Sequence, residues 1–447
     1  MSDKQPLKLL SVPLSLVYDP ETTAWKLSTA SDDVVEAIVT SKPSGTQDAS
    51  TDAFGRARVS EPFNLIDTTH QYNLAPLYWE SSPTGSSTHL PNESSVLMSI
   101  STGTGLQVFR QTKQYIRYQP LKSQEVAETF VFGAAKANLR RRVGLFDAQN
   151  GVYFEQDGTN GLYMVIRSYA TGAVVEERVP QTLWNLDRMD GTGSSGVTLN
   201  VSRAQIFTAD IEWLGVGTVR VGFVIGRSKV YVHAFNHANE PNNTSVYMTT
   251  ANLPIRYELY NVTGTASAST MKQICSAVQS EGGREENGAV FSVSNRNTLR
   301  AVSNSYLPIL AMRVAKFFPG SDTTGIVNRG IYRPLDYEIY SEDAPAYYEV
   351  VQGADVTGGT WLPVDGTHSG MLYNVTATGT VGGIVVDSGY IGTSATARVV
   401  ASNEADTDIP LVLNVAGTVG DTICIRAIRT TNTNTDMGAK IREKELY

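Results

Sequence analysis

Apolar and polar residues alternate with a period of two along most of this chain. In 219–235, Val219, Val221, Phe223 and Ile225 fall on one face. Residues 226–229 can turn. Beyond them Tyr231, His233 and Phe235 alternate with Val230, Val232 and Ala234. The same period on both sides of a turn predicts a β-hairpin. A second hairpin is predicted from 152–154 and 162–167, joined by Asp157-Gly158-Thr159-Asn160-Gly161. Ile211 and Trp213 alternate with Asp210 and Glu212, and 257–260 and 288–293 extend the series. Segments 125–139 and 269–280 fit a helix or a strand. They are read as strands because β patterning surrounds them.

The pattern divides the chain into three. Residues 1–60 read as an N-terminal arm, with short apolar runs broken by Pro13 and Pro20 and a polar stretch at 41–52. Such a segment cannot bury much surface alone. Residues 61–335 read as a central β-sandwich with regular turn signals. Residues 336–447 read as a second β unit, opened by the acidic, aromatic stretch 336–349. Its strands are expected at 384–386, 397–401, 411–415 and 423–428, the last two as a hairpin, and its charged end, 437–447, is expected to fray or to dock on a partner. The expected fold class is all-β: a β-sandwich or jelly-roll-like central domain, a C-terminal β domain and an extended arm.

Composition agrees with this reading. Charged residues make up 18% of the 447 residues, and there are 38 glycines, a bias towards strands and turns over long surface helices. The net charge of -8 argues against a broad nucleic-acid surface. The exception is Lys136-Ala-Asn-Leu-Arg140-Arg141-Arg142, read first as salt-bridging residues and second as a phosphate contact. Cys275 and Cys424 stand far apart and are expected to be small buried apolar residues of a reducing compartment. No signal-peptide pattern or membrane-spanning run is present, so no membrane partner is expected.

Candidate chemistry is sparse. His233 and His237 are close in sequence but fall on and just beyond a strand, which removes the meaning of their spacing for a metal. The sequence holds no HExxH, GxSxG, Walker A or dinucleotide fingerprint. Gly191-Thr-Gly-Ser-Ser-Gly196 is expected to be a flexible loop. The Asp147-Ala-Gln-Asn-Gly and Asp157-Gly-Thr-Asn-Gly runs are read as tight turns before calcium sites. Glu176, Glu177, Asp187, Asp190, Asp210 and Glu212 could supply a carboxylate pair for glycoside cleavage, with nothing to select among them. Trp79, Trp184, Trp213 and Trp361 could stack on sugar, although such aromatics more often fill cores and interfaces. The expectation is a non-enzymatic protein with no cofactor and no metal.

A string of longer motifs carries a resemblance. Residues 52–60 read DAFGRARVS and continue as EPFNLID. IEWLGVGTVRVGFV (211–224), VHAFNHAN (232–239), YMTTANLPIRYEL (247–259) and ICSAVQSEGG (274–283) follow in order. This resembles a family of tailed-bacteriophage virion structural proteins over residues 52–330. The resemblance implies a decoration, collar, head-fibre or tail-associated protein, assembled in the host cytoplasm into the virion. Its implied partners are copies of itself, as a homotrimer or higher ring, and other virion proteins. In DAFGRARVS, Phe54 can fill a pocket and Gly55 permits a bend or close approach. Arg56 and Arg58 share one side of an extended chain and can grip carboxylates. These four residues are candidate assembly contacts, weighed equally against an ordinary first strand. The alternative function is a carbohydrate-binding or depolymerising host-recognition protein.

Overall fold

The structure is a computed structural model that describes residues 51–53, 55–59, 61–241, 243–296, 298–392, 399–401 and 410–447, together with the backbone of two earlier strands. By contacts the chain divides into two compact units, Met1–Asp48 and Ala49–Tyr447. In the first, Ser15–Asp19 and Ala24–Ser28 pair antiparallel.

The second unit is built almost wholly of antiparallel strands, and the expected all-β fold is observed. A seven-stranded sheet runs in the order Val175–Pro180, Gly161–Ser168, Gly151–Asp157, Leu139–Phe146, Ile255–Asn261, Gln107–Thr112, Trp79–Ser81. An eight-stranded sheet runs Ser228–Phe235, Val219–Ile225, Gln205–Ile211, Gln124–Val131, Ser269–Glu281, Ser95–Ile100, Ser86–Leu90, with Pro62–Thr68 also paired to Ser269–Glu281. The two sheets share one apolar core. Its centre is a group of phenylalanines drawn from both layers. Phe154 stacks on Phe132 at 5.5 Å and meets Phe223 edge-on at 5.0 Å.

The two predicted hairpins form. Ile225 faces Ser228 across a two-residue loop, and Gly226 takes the positive φ that such loops require. A bulge between Val221 and Gly222 lets this strand stay paired, and a Cβ on Gly222 would lie 2.1 Å from the Val230 carbonyl oxygen. In the other hairpin Asp157 faces Gly161, and the Asp157 carboxylate accepts the Thr159 and Asn160 backbone N–H groups at 3.0 and 3.2 Å. The Asp147 carboxylate likewise accepts the N–H groups of Gln149 and Asn150. Both runs are Asx-type turns.

A second sandwich follows. Its five-stranded sheet is Ala289–Ser294, Thr435–Leu446, Ile331–Ser341 and Val399–Ala401, with Arg300–Val302 also paired to Thr435–Leu446. Its six-stranded sheet is Leu362–Pro363, Met371–Asn374, Leu307–Val314, Thr422–Arg429, Ala346–Gln352 and Ile384–Ile391. Their common core begins at Val293, ahead of the boundary expected at 336. The cause is the chain end: Thr435–Leu446 pairs with Ala289–Ser294 and draws it into the second sandwich.

That pairing corrects the reading of 437–447 as a fraying or docking tail. Met437, Ala439 and Ile441 face the core while Lys440, Arg442 and Lys444 face away, so the segment is a central strand. Segment 411–415 is not a strand either. It makes single bridges, Leu411 to Tyr332 and Leu413 to Gly420. Of the strand expected at 397–401, 399–401 forms, while 397 and 398 lie outside the described residues. Among the described residues no helix is long and apolar enough to cross a membrane.

Tyr257 ties the two layers of the first sandwich together. Its hydroxyl lies 2.9 Å from Ser276 Oγ and 3.2 Å from the Thr129 and Cys275 carbonyl oxygens, all on the opposite sheet. Tyr257→Phe is expected to cost about 1–2 kcal/mol in a denaturant titration, the loss of one donor that leaves buried carbonyls wanting. No measurable change would mean these bonds carry no stability.

Candidate functional site

Strand alternation places a row of acids on the outer face of the eight-stranded sheet. Phe207, Ala209 and Ile211 point into the core, so Asp210 and Glu212 point out. Across the neighbouring strands Asp210 is opposite Arg220 on one side and Glu125 on the other. Arg220 Nε lies 3.1 Å from Asp210 Oδ2, and its guanidinium sits 4.4 Å over the Tyr231 ring. Lys229 Nζ lies 2.5 Å from Glu125. Ser123 donates to the other Asp210 oxygen.

The DAFGRARVS segment covers this row. It is not extended: Thr51 and Ala57 form an antiparallel bridge, and Gly55 turns with φ +76°. The Asp52 N–H donates to the Arg56 carbonyl at 2.8 Å, and the Arg56 N–H to Asp52 Oδ1 at 2.8 Å. This closed loop delivers both arginines to the sheet. Arg56 reaches Glu212 at 2.6 Å while holding Asp52 at 2.5 Å. Arg58 spans three acids: Asp210 and Glu125, each at 2.7 Å, and Glu281 at 2.5 Å. The candidate contacts Arg56 and Arg58 are therefore placed on carboxylates of their own chain, and Gly55 supplies the bend. Phe54 lies outside the described residues.

Glu212 is the unusual member. Burial pushes its carboxyl up to about 7, Arg56 opposes this, and Asp52 and Asp210 add to it. Its Oε2 atom is buried with no hydrogen-bond partner.

The outer face of the seven-stranded sheet is also ionic. Arg142 pairs with Glu155 and Glu258, each at 2.7 Å, and Arg256 pairs with Glu258 at 2.7 Å. Arg140 and Arg178 each lie 3.1 Å from Asp157. Arg141 faces the other way and donates to Gln156 Oε1 at 2.6 Å and to the Ala134 and Thr270 carbonyls. Lys136 Nζ donates to Ser267 and Ala268. All four cations of the basic run are thus engaged within the chain. The register Arg142 opposite Glu155 and Arg140 opposite Asp157 was present in the sequence as matching alternations, R-x-R and E-x-D.

The remaining candidates separate. Asn185 N–H donates to His233 Nδ1, whereas His237 bonds the Gly217 carbonyl and stacks on Tyr247 at 3.8 Å. The glycine-rich 191–196 loop is held in place: Asp187 accepts the Ser195 N–H at 2.7 Å and the Ser194 hydroxyl at 3.1 Å. Trp79 and Trp184 are buried in the first core, and Trp213 packs against it. Arg313 lies 4.5 Å over the Trp361 ring. Cys424 is buried and Cys275 half-buried, both as free thiols.

No family model and no curated protein matches the sequence. Among solved structures, the chain is similar to a legume lectin-like domain from Entamoeba histolytica, at 6% identity and TM-score 0.29, over 48% of this chain and 97% of that one. It is similar to a glycoside hydrolase family 16 endo-glucanase from Bacteroides ovatus, at 8% identity and TM-score 0.32, over 48% and 99%. A putative beta-glucanase from Mycobacterium abscessus stands at 10% identity and TM-score 0.32, over 49% and 98%.

Proposed function

We propose that this chain is a structural component of a tailed-phage virion that acts by packing against copies of itself and neighbouring virion proteins. The observation that carries this reading is the latch. Arg56 and Arg58 fasten the Asp52–Arg58 loop to the outer face of the eight-stranded sheet through four of its carboxylates, Glu125, Asp210, Glu212 and Glu281. A segment fastened to a sheet through several ion pairs suits assembly, where many modest contacts add through avidity. Decoration, collar, head-fibre and tail-associated positions are all compatible with it.

Particles purified from a host producing the full-length tagged chain should carry it as a repeated component. A chain lacking residues 1–48 should keep its β circular-dichroism spectrum and be missing from particles. Absence of the full-length chain would refute the virion role, and normal incorporation of the truncation would refute the arm as connector.

One observation favours a second reading, a carbohydrate-cleaving or carbohydrate-binding protein. Glu212 is pushed up to about 7 and stands two residues from Asp210, a pair of carboxyls in different environments. Reducing-sugar release and glycan-array binding, measured on the wild type and on R56A/R58A with its acids uncovered, test this. Activity in the variant would support it, and silence in both assays on both proteins would refute it.

A further inference from the structure

We propose that the outer face of the eight-stranded sheet accepts the Asp52–Arg58 loop of a second copy of this chain as well as its own, so that neighbouring copies exchange latches. The proposal rests on the assembly role above and names the contact through which it would operate.

Three observations carry it. The first is charge. The face presents four carboxylates, Glu125, Asp210, Glu212 and Glu281, against two cations of its own, Arg220 and Lys229. Against this deficit the loop brings Arg56, Arg58 and its own Asp52, a net charge of the opposite sign. The complementarity is specific in position as well as sign, because Arg58 alone spans three of the acids.

The second is that the loop is self-contained. The Thr51–Ala57 bridge, the Gly55 turn and the Asp52 bonds to Arg56 close the loop, and Arg58 Nε donates to the Thr51 carbonyl at 3.1 Å. These bonds lie within the loop, and the sheet adds one to its backbone, from Arg220 to the Thr51 carbonyl. A loop that carries its own geometry can dock with the same contacts whichever chain supplies it, with little ordering cost on arrival.

The third is the connection. Three residues, 59–61, join the loop to the strand Pro62–Thr68, which lies on the same sheet. Val59 is 90% exposed. Redirecting this short connector is all that exchange requires, and short connectors favour it. In a dilute solution the tether gives the chain's own loop a large effective concentration, so isolated copies stay closed.

The test mixes two full-length variants. R56A/R58A keeps the face and loses the latch. E125Q/E281Q keeps the latch and weakens the face at two partly exposed positions. Native mass spectrometry at micromolar concentration should show each alone as a monomer and the mixture as a one-to-one heterodimer, at least about tenfold above either variant alone. A mixture that stays monomeric overturns the proposal. Because R56A/R58A could fail to fold, a fluorescent peptide of residues 49–61 is also titrated onto the wild-type chain. Slow, salt-sensitive uptake is expected, and none for the same peptide carrying alanine at 56 and 58. Failure of the native peptide to bind, or equal binding by both peptides, likewise overturns it. Neither readout involves a particle. Exchange by a chain that is missing from particles would sink the virion role alone, and incorporation without exchange would sink this contact alone.

Discussion

Arg142→Ala is expected to destabilise the first sandwich by about 3–5 kcal/mol, the range for removing one partner from a buried ion cluster. The Arg142 side chain is only 5% exposed and is held by Glu155 and Glu258, which are fully buried. Its guanidinium also lies 5.4 Å from the centre of the Tyr153 ring. The loss is large because the acids stay behind. Glu258 would keep Arg256 and the Gln107 amide, and Glu155 would rely on Arg178 and a 3.9 Å approach from Arg140. Burial raises the Glu258 carboxyl, but Arg256, Arg142 and Arg167 outweigh it and bring it down to about 2. A depressed carboxylate contributes stability that is present above its unfolded value of about 4.5 and is lost as pH falls through the folded value. The variant should therefore begin acid unfolding at higher pH than the wild type as well as at lower denaturant. Arg140→Ala, at a partly exposed position, should cost no more than about 1 kcal/mol. Equal costs for the two would contradict the burial argument.

The local patterns were legible in the sequence and the long-range ones were not. The hairpins at 151–168 and 219–235 carry period-two alternation and turn residues within one stretch, so both appear where expected. Arg140 and Arg142 could be matched to Asp157 and Glu155 because a single hairpin connection separates them. Glu258 joins the same cluster from more than a hundred residues away, and only the order of strands in the sheet brings it there. The same holds for the latch. DAFGRARVS announced two arginines ready for carboxylates, yet Asp210, Glu212 and Glu281 come from distant strand positions that no spacing predicts. The last strand was missed for a different reason. Met437, Ala439 and Ile441 alternate with charged residues as an edge or central strand should, but Glu443 and Glu445 occupy the next two inward positions. Two acids at core positions break the apolar pattern and disguise the strand as a charged tail.

Those two acids carry the second large effect. Glu443 and Glu445 are each 1% exposed and lie on the same face of Thr435–Leu446. Lys440 and Arg442 turn to the opposite face, where they pair with Glu338 and Asp336. Glu445 accepts the Ser369 hydroxyl at 2.5 Å and the Gly370 N–H at 2.9 Å. Neither Glu443 oxygen finds a donor. Burial pushes the Glu443 carboxyl up to about 10, and the neighbouring Glu445 pushes the same way. The arrangement works only if Glu443 keeps its proton and donates it to Glu445. A carboxyl whose folded value lies above its unfolded one contributes stability that is fully present below about 4.5 and is lost as pH rises towards 10. Folding at neutral pH must therefore draw a proton onto Glu443, at about 1.4 kcal/mol for each pH unit above the unfolded value. Glu443→Gln supplies a donor that never ionises. It should leave stability at pH 4.5 nearly unchanged and raise it at pH 8 by about 2–4 kcal/mol, after allowing for relaxation around the pair. Parallel denaturant titrations of wild type and variant from pH 4.5 to 9 measure this. Their difference isolates the Glu443–Glu445 pair, since groups outside the pair titrate alike in both. Curves that stay parallel across that range would mean that Glu443 is ionised in the folded chain, and that something other than a proton satisfies it.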